Sequence, residues 1–511
     1  MSRPITACLI ANRGEIAVRI TRACRELGVR AVAVYSDADA TALHVRSADH
    51  AVAIGGAAPA ESYLNIDRLI DAARSSGCDA VHPGYGFLSE SEDFAQAVID
   101  AGLIWIGPPP DAIRAMGVKT EARALMERAG VPLVPGFQSE NARDDAFLAA
   151  AERIGWPVMV KAAGGGGGKG IRVVRAPADL PDALASARSE ALHAFNDPRV
   201  FLERYIEHGR HIEMQVFADS HGHTVHIFER ECSAQRRHQK VIEESPSPLI
   251  QRFGAEMRTR MGAAAVEAAR AVGYVGAGTV EFIAAPTGEF YFLEMNTRLQ
   301  VEHPVTEGIS GLDLVKLQFA VASGEPLPFT QADLTQRGHA IEARLYAEDP
   351  RSGFMPAPGK LLAFTPPNRP GVRVDSGVVS GDTISLHYDP LIAKIIVTDA
   401  TRSGAIRRLD TALRETIVLG TPTNRAFLRA LINHPTFAAG EVDTTFIERH
   451  VEELNAAEEL DPHTRDLGLI AAAMHDFNAD YNRAYAGNAR PPGVVDSADP
   501  WARRDRFRMN G

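Results

Sequence analysis

Two glutamates and an amide stand in the segment GTVEFIAAPTGEFYFLEMNTRLQVEH, residues 278–303. Glu281 and Glu294 fall on stretches rich in β-branched and aromatic residues, which predicts two paired strands. Residues 294 and 296 share one face of an extended strand, so Asn296 projects beside Glu294. Two carboxylates and an amide oxygen make an all-oxygen donor set suited to Mg2+ or Mn2+, completed by substrate phosphates. Strand carboxylates that merely face solvent are the competing reading, and the apolar run FYFLEMN weighs against it. The two-residue rhythm continues through Arg298, Gln300 and Glu302. A guanidinium is a fork for a planar anion such as bicarbonate or a carboxylate. Glu302 is a candidate general base if its surroundings set a suitable pKa.

A second group is ECSAQRRHQKVIEE, residues 231–244. Gln235, His238 and Lys240 lie near a predicted strand end and add local positive charge. A solvated charge run is the alternative, since Arg236 and Arg237 cannot both reach one ligand with the rest. A third group is KAAGGGGGKG, residues 161–170, with five consecutive glycines. Glycine permits positive φ and close backbone approach, so several N–H groups can converge on one phosphate. A flexible solvent-exposed turn is the plain alternative. A Walker A loop is excluded. With Lys169 as its lysine, Ala163 stands where the first glycine belongs and Gly170 where the Ser or Thr belongs. The flanks PVMV and IRVVR both read as strands, which predicts a mobile hairpin lid with Lys161 at its base.

The elements around these groups read as alternating α and β. Strands at 5–11, 30–35, 51–54, 80–86 and 103–107 alternate with helices at 15–27, 65–76 and 91–101. That pattern predicts a Rossmann-like parallel sheet. The first turn is ANRGEIA rather than GxGxxG, so no dinucleotide site follows. One helix is expected over 111–129 and another over 252–272. A mixed β-rich region runs from about 339 to 398, followed by helices near 402–416 and 424–432. HYDPLIAKI, residues 387–395, reads as packing or contact surface without assigned chemistry. Residues 449–490 predict a long Ala- and Glu-rich helix, followed by a polar stretch.

The chain has 511 residues, enough for three or four structural units, with 45% hydrophobic and 23% charged residues. A net charge of −11 argues against general nucleic-acid binding. Cys8, Cys24, Cys78 and Cys232 lack metal-ligand spacing and predict buried thiols in a reducing compartment. The N-terminus shows no secretory pattern, and no apolar run reaches 18 residues. The expectation is a cytoplasmic protein without a membrane span.

IANRGEIAVRI, HPGYGFLSE, KAAGGGGGKG, QRRHQK and EMNTRLQVEHPVTE together resemble biotin carboxylase, an ATP-grasp ligase, over about residues 3–450. The resemblance implies an α/β fold with a Rossmann-like N-terminal domain at 1–114 and an ATP-grasp domain at 115–335, with its lid near 135–205. A mixed α+β C-terminal domain at 336–450 and a helical tail at 451–511 complete it. The implied reaction joins ATP, bicarbonate and a biotinyl carrier to give carboxybiotinyl carrier, ADP and phosphate through carboxyphosphate.

By the same resemblance, Lys119, Lys161, Gly165 and Gly166 contact ATP phosphates. Glu203, Arg204 and Ile206 match the hinge strand on the adenine side. Family members often carry Lys where Arg204 stands, and a backbone contact would survive that change. His211, Gln235 and His238 line the nucleotide site. Glu281, Glu294 and Asn296 match ligands for Mg2+ or Mn2+, with two ions expected. Lys240, Arg298, Gln300, Val301 and Glu302 match the bicarbonate pocket, with Glu302 as base. Arg344 matches the arginine that holds the ureido oxygen of biotin.

The implied partners are a biotin carboxyl carrier domain or protein, a carboxyltransferase β subunit, and further copies of the chain. No Ala-Met-Lys-Met carrier signature is present. The tail resembles α subunits of 3-methylcrotonyl-CoA and propionyl-CoA carboxylases, so 451–511 reads as the start of a longer polypeptide. It reads equally as the end of a carboxylase whose carrier is a separate gene, and a biotin carboxylase subunit of acetyl-CoA or pyruvate carboxylase is the alternative assignment. Another ATP-grasp ligase and a non-catalytic ATP-binding subunit are the remaining alternatives. None of the matched active-site residues is missing, which argues against the second.

Overall fold

The computed structural model describes residues 3–139, 143–163, 171–237, 239–456, 466–475 and 477–478. Residues 1–455 form one compact unit. It opens with a five-stranded parallel sheet of Ala7–Ile10, Arg30–Ser36, His50–Gly55, Ala80–His82 and Ile104–Trp105. In sequence numbering the strand order is 3-2-1-4-5. The helices Gly14–Leu27, Ile66–Ser75 and Glu92–Asp100 stand where the 3.6-residue periodicity placed them. All four cysteines are buried and unpaired.

The expected single helix over 111–129 is instead two, Pro110–Gly117 and Lys119–Arg128, separated by an extended Val118. Gly117 and Val118 are both poor helix residues, so the break falls there. It leaves Lys119 at the start of a helix. The helix expected over 252–272 is likewise divided, into Pro248–Phe253 and Ala255–Ala271, at Gly254 with φ 85°. Only glycine takes that conformation without strain.

An eight-stranded antiparallel sheet forms the centre. Its order is Phe290–Asn296, Gly276–Ala284, Arg210–Ala218, Thr224–Arg236, Gln239–Ser245, His339–Tyr346, Leu391–Asp399 and Val372–Ser376. Strands from residues 210–296 and from residues 339–399 therefore share one surface. The two-residue rhythm expected through Glu302 ends at Asn296. Residues 297–302 turn into the helix His303–Ser310, with Glu302 at its N-cap. Leu299, Gln300 and Glu302 are all buried.

A separate four-stranded antiparallel sheet carries the glycine run. Its order is Gly136–Gln138, Val200–Arg204, Val158–Ala162 and Arg172–Val174. The helices Asp144–Ile154 and Leu180–Phe195 pack on it around Phe147, Val158, Val160, Leu184 and Leu202. The strands flanking the glycines pair antiparallel, as a hairpin requires. Residues 164–170 themselves lie outside the described residues. This lid leaves the body at Pro135 and returns at Tyr205. Arg204 N donates to the Pro135 carbonyl at 2.8 Å. Gly136 sits where a Cβ would come 2.6 Å from the Leu202 carbonyl, so the two neighbouring strands close only with glycine there.

Of the expected tail helix, residues 466–475 and 477–478 are described, and they are helical and exposed.

Candidate active site

A line of charged side chains crosses four strands of the central sheet. Arg230 faces Glu213, Glu213 faces Glu281, and Glu281 faces Glu294, each pair in cross-strand register. Partners in register present side chains to the same face. Like charges set opposite each other repel, so three carboxylates in a row require cations between them. Arg230, fully buried, binds Glu213 through Nε at 2.5 Å and also reaches Gln215, Thr279 and Thr306. Lys240 Nζ lies 2.5 Å from Glu213, 2.8 Å from Glu281 and 2.7 Å from Glu302. Burial alone would strip its proton, but the three carboxylates outweigh burial and push its pKa well up.

Glu294 is compensated least. Its nearest cation is Lys119 Nζ at 3.8 Å. Nearly half of its side chain (48%) still meets solvent, although the cleft wall surrounds it. Crowding and the Glu281 charge push its carboxyl above the usual range. Glu281 behaves oppositely. Burial opposes its charge, but Lys240 and His211 hold its carboxyl far below the usual range. His211 Nε2 lies 3.0 Å from Glu281 Oε2 and is pushed toward the imidazolium by it, against burial. Asn296 donates to Glu281 at 2.8 Å and accepts from Arg298 at 3.0 Å. A divalent cation suits this unevenly neutralised oxygen set, in which Glu294 lacks a close counter-charge. His211, Glu213 and Glu281 also bring ligand atoms within 4.8 Å of one another.

Glu302 is fully buried between two cations. One oxygen takes Lys240 and the other takes Arg344 at 2.9 Å. Burial favours the protonated form, yet Lys240, Arg344 and Arg230 hold it well below the usual carboxylate range. Arg344 divides itself between Glu302 and Glu243, whose Oε1 it meets at 2.6 Å. Burial, only partly offset by Arg344, pushes Glu243 up to about 7. Arg298 donates to Glu90 at 3.0 Å, to Gln300 at 2.8 Å and to Asn296. Gln300 Nε2 stands 3.5 Å from Glu281, and the Val301 carbonyl accepts from Lys394 at 2.8 Å. Gln235 is the register partner of Lys240.

Of the remaining expected residues, Lys161, Glu203 and Arg204 lie on the lid. Lys161 and Arg123 both bind the buried Glu203. The Arg204 side chain is exposed while its backbone is bonded, and Ile206 is half-buried just past the strand. Among the described residues, no hydrogen bond or ion pair joins this group to the Lys240 cluster. His238, Gly165 and Gly166 lie outside the described residues. Arg236 turns away from the site, pairing with Glu348 at 3.0 Å and covering the Phe354 ring.

Sequence reading missed Glu213, Arg230, Glu90, Glu243 and Lys394. Glu213 had a signal: His211, Glu213 and Gln215 are polar residues at alternate positions of a strand that, after Arg210, is otherwise apolar. Glu90 lay in HPGYGFLSE, quoted above without a role. Arg230 and Glu243 carried no pattern, because their partners are distant in sequence.

Three family models tile the chain. The biotin carboxylase N-terminal domain matches residues 4–113 and the biotin carboxylase C-terminal domain matches 342–449. Between them, the ATP-binding domain of the carbamoyl-phosphate synthase L chain matches 118–330. Biotin carboxylase 2 of Bacillus subtilis is 50% identical over 446 residues, covering 87% of this chain and 100% of its own. The chain belongs to the biotin carboxylase family. It is an ATP-dependent ligase with the ATP-grasp architecture, and the flanking matches separate it from other ATP-grasp ligases.

The α subunit of mitochondrial methylcrotonoyl-CoA carboxylase from Dictyostelium discoideum is 52% identical over 510 residues, 99% of this chain. The chain spans 71% of that relative and 60% of the corresponding Oryza sativa subunit. The biotin carboxylase domain dimer of Hydrogenobacter thermophilus 2-oxoglutarate carboxylase, solved with MgADP, ADP and bicarbonate, superposes with TM-score 0.84. It is 42% identical and covers 89% of this chain and 100% of that one. Campylobacter jejuni biotin carboxylase gives TM-score 0.83 at 44% identity, covering 87% and 99%.

Proposed function

We propose that this chain is the biotin carboxylase component of an acyl-CoA carboxylase, and that the holoenzyme acts on 3-methylcrotonyl-CoA. Propionyl-CoA is the second choice. The observation that carries the reaction is Glu302 held between Lys240 and Arg344, beside the carboxylate row and Arg298. The methylcrotonoyl name of the Dictyostelium relative, similar over 99% of this chain, supports the acyl-CoA assignment.

In this reading Lys119 and Lys161 take the ATP phosphates, and Lys161 must leave Glu203 to do so. Gly165 and Gly166 cover those phosphates. Glu203, Arg204, Ile206, His211, Gln235 and His238 complete the nucleotide site. Glu281, Glu294 and Asn296 would hold Mg2+ or Mn2+, up to two ions, which when bound neutralises charge on the transferring phosphoryl group. Lys240, Arg298, Gln300 and Val301 bind bicarbonate. Glu302 removes its proton as the bicarbonate oxygen attacks the γ-phosphorus and ADP leaves. A carboxylate clasped by two cations is a weak base. Its proton affinity rises when the entering anion draws Lys240 away. The carboxyphosphate then releases CO2 and phosphate, the phosphate takes the N1′ proton of biotin, and N1′ attacks the CO2. Arg344 stabilises charge on the ureido oxygen.

The biotinyl carrier, a carboxyltransferase β subunit and a second copy of the chain are the proposed partners. A cytoplasmic location accords with four buried free thiols. The test is ADP release by the purified chain in Mg-ATP, with and without bicarbonate and free biotin. Release that rises only when both are added supports the reading. Release indifferent to bicarbonate removes it.

A further inference from the structure

HYDPLIAKI had no role in the reading above, yet it delivers Lys394 beneath the proposed bicarbonate pocket. Lys394 sits in the strand Leu391–Asp399, in register with Arg344 on one side and Asp375 on the other. Its side chain is completely buried, at 0% exposure. A buried ammonium is expensive and persists only where its donors are used. Here it forms an ion pair with Glu15 Oε1 at 3.0 Å, on the first helix of the N-terminal sheet domain. Glu15 is held in turn by the Tyr85 hydroxyl, and Lys394 Nζ lies 5.9 Å from the Tyr85 ring centre. Its hydrogen bond runs to the backbone carbonyl of Val301 at 2.8 Å.

The neighbouring peptide is fixed as well. His303 Nδ1 lies 2.8 Å from the Gln300 carbonyl. Burial, and then the charges of Lys394, Arg19 and Arg373, keep this imidazole neutral, so Nδ1–H is the donor. A trans planar peptide sets its N–H opposite its C=O. Anchoring the Gln300 and Val301 carbonyls therefore turns the N–H groups of Val301 and Glu302 away from His303 and Lys394. Among the described residues neither N–H has a protein acceptor. Two consecutive free N–H groups beside Arg298 and Lys240 form a small anion cradle.

We propose that Lys394 is a positioning residue. It clamps the Val301 peptide, aiming this cradle at bicarbonate, and Glu15 couples the clamp to the N-terminal domain. The proposal rests on the bicarbonate reading above. It is tested on the full chain with Lys394→Met, with Lys394→Met combined with Glu15→Gln, and with Lys394→Arg. The double variant leaves no lone buried charge, so it carries the test where the single variant does not fold.

The expected result is a rise of about 10- to 100-fold in KM for bicarbonate, the worth of a charge-assisted hydrogen bond. Affinity for ATP stays within about twofold, and kcat changes less than KM, as loss of ground-state positioning requires. Lys394→Arg, which keeps the charge, recovers part of the KM. Bicarbonate KM within about twofold of the parent, with only thermal stability lowered, would make Lys394 a plain domain pin and overturn the proposal. If the parent chain releases no ADP in response to bicarbonate, the functional reading fails, and this inference with it.

Discussion

The core cluster of the four-stranded lid holds ten buried apolar residues, two of them alanines, and the lid ties its buried Glu203 to Lys161 and to Arg123 below. The eight-stranded floor instead sinks Arg230, Glu213, Lys240, Glu281, Glu302 and Arg344 into one continuous network. A small apolar core edged by ion pairs can swing as a body at little cost. A network whose every member neutralises another cannot give way piecemeal, because removing one partner strands a buried charge. The lid is thus built to move and the floor to stay, and substitutions in each should fail differently.

The largest effect belongs to the floor. Glu302→Gln should lower bicarbonate-dependent ADP release by about 10²- to 10⁴-fold, the span of general-base catalysis, while ATP binding persists. Single-turnover ADP release with parallel nucleotide titration reads both, and near-normal release would end the assignment of Glu302 as base. The lid gives a smaller change of another kind. Lys161→Met should raise KM for ATP by about tenfold and leave the bicarbonate KM near its parent value. Steady-state kinetics in both substrates checks this, and an equal rise in both KM values would erase the contrast.

The smallest effect concerns stability at the floor's edge. Glu243 titrates near 7 in the folded chain, above its ordinary value of 4.5. The folded state therefore holds this proton when the unfolded state has lost it. The resulting stabilisation is complete below about 4.5 and fades as pH rises through about 7. Glu243→Gln should flatten the decline in Tm across that window. A melting series from pH 5 to pH 8 with an unchanged slope would show that Arg344 keeps Glu243 ionised throughout.

Local chemistry explains what could be read beforehand. The parallel domain was legible because helix and strand periods alternate cleanly in residues 5–107. The hairpin lid was legible because strand-forming runs flank the glycines. Glu281, Glu294 and Asn296 were found because polar residues stand out in apolar strands. Glu302 was found through the two-residue rhythm and the motif, but its backbone was misjudged as extended, although Pro304 in the first turn of the next helix marks a helix start there. The clasp of Arg344 on Glu243 and Glu302 joins residues 101 and 42 positions apart. No local pattern encodes such a partner. The same holds for Lys394 and Glu15, which meet only when the first and last parts of the body close together.

The meeting of Pro135 with Arg204 has one further consequence. Entry and exit of the lid are neighbours in one sheet, where Gly136 pairs with Glu203. The lid is therefore an inserted cassette whose two ends meet. A cassette whose ends already touch can be lengthened, shortened or exchanged without stretching its host.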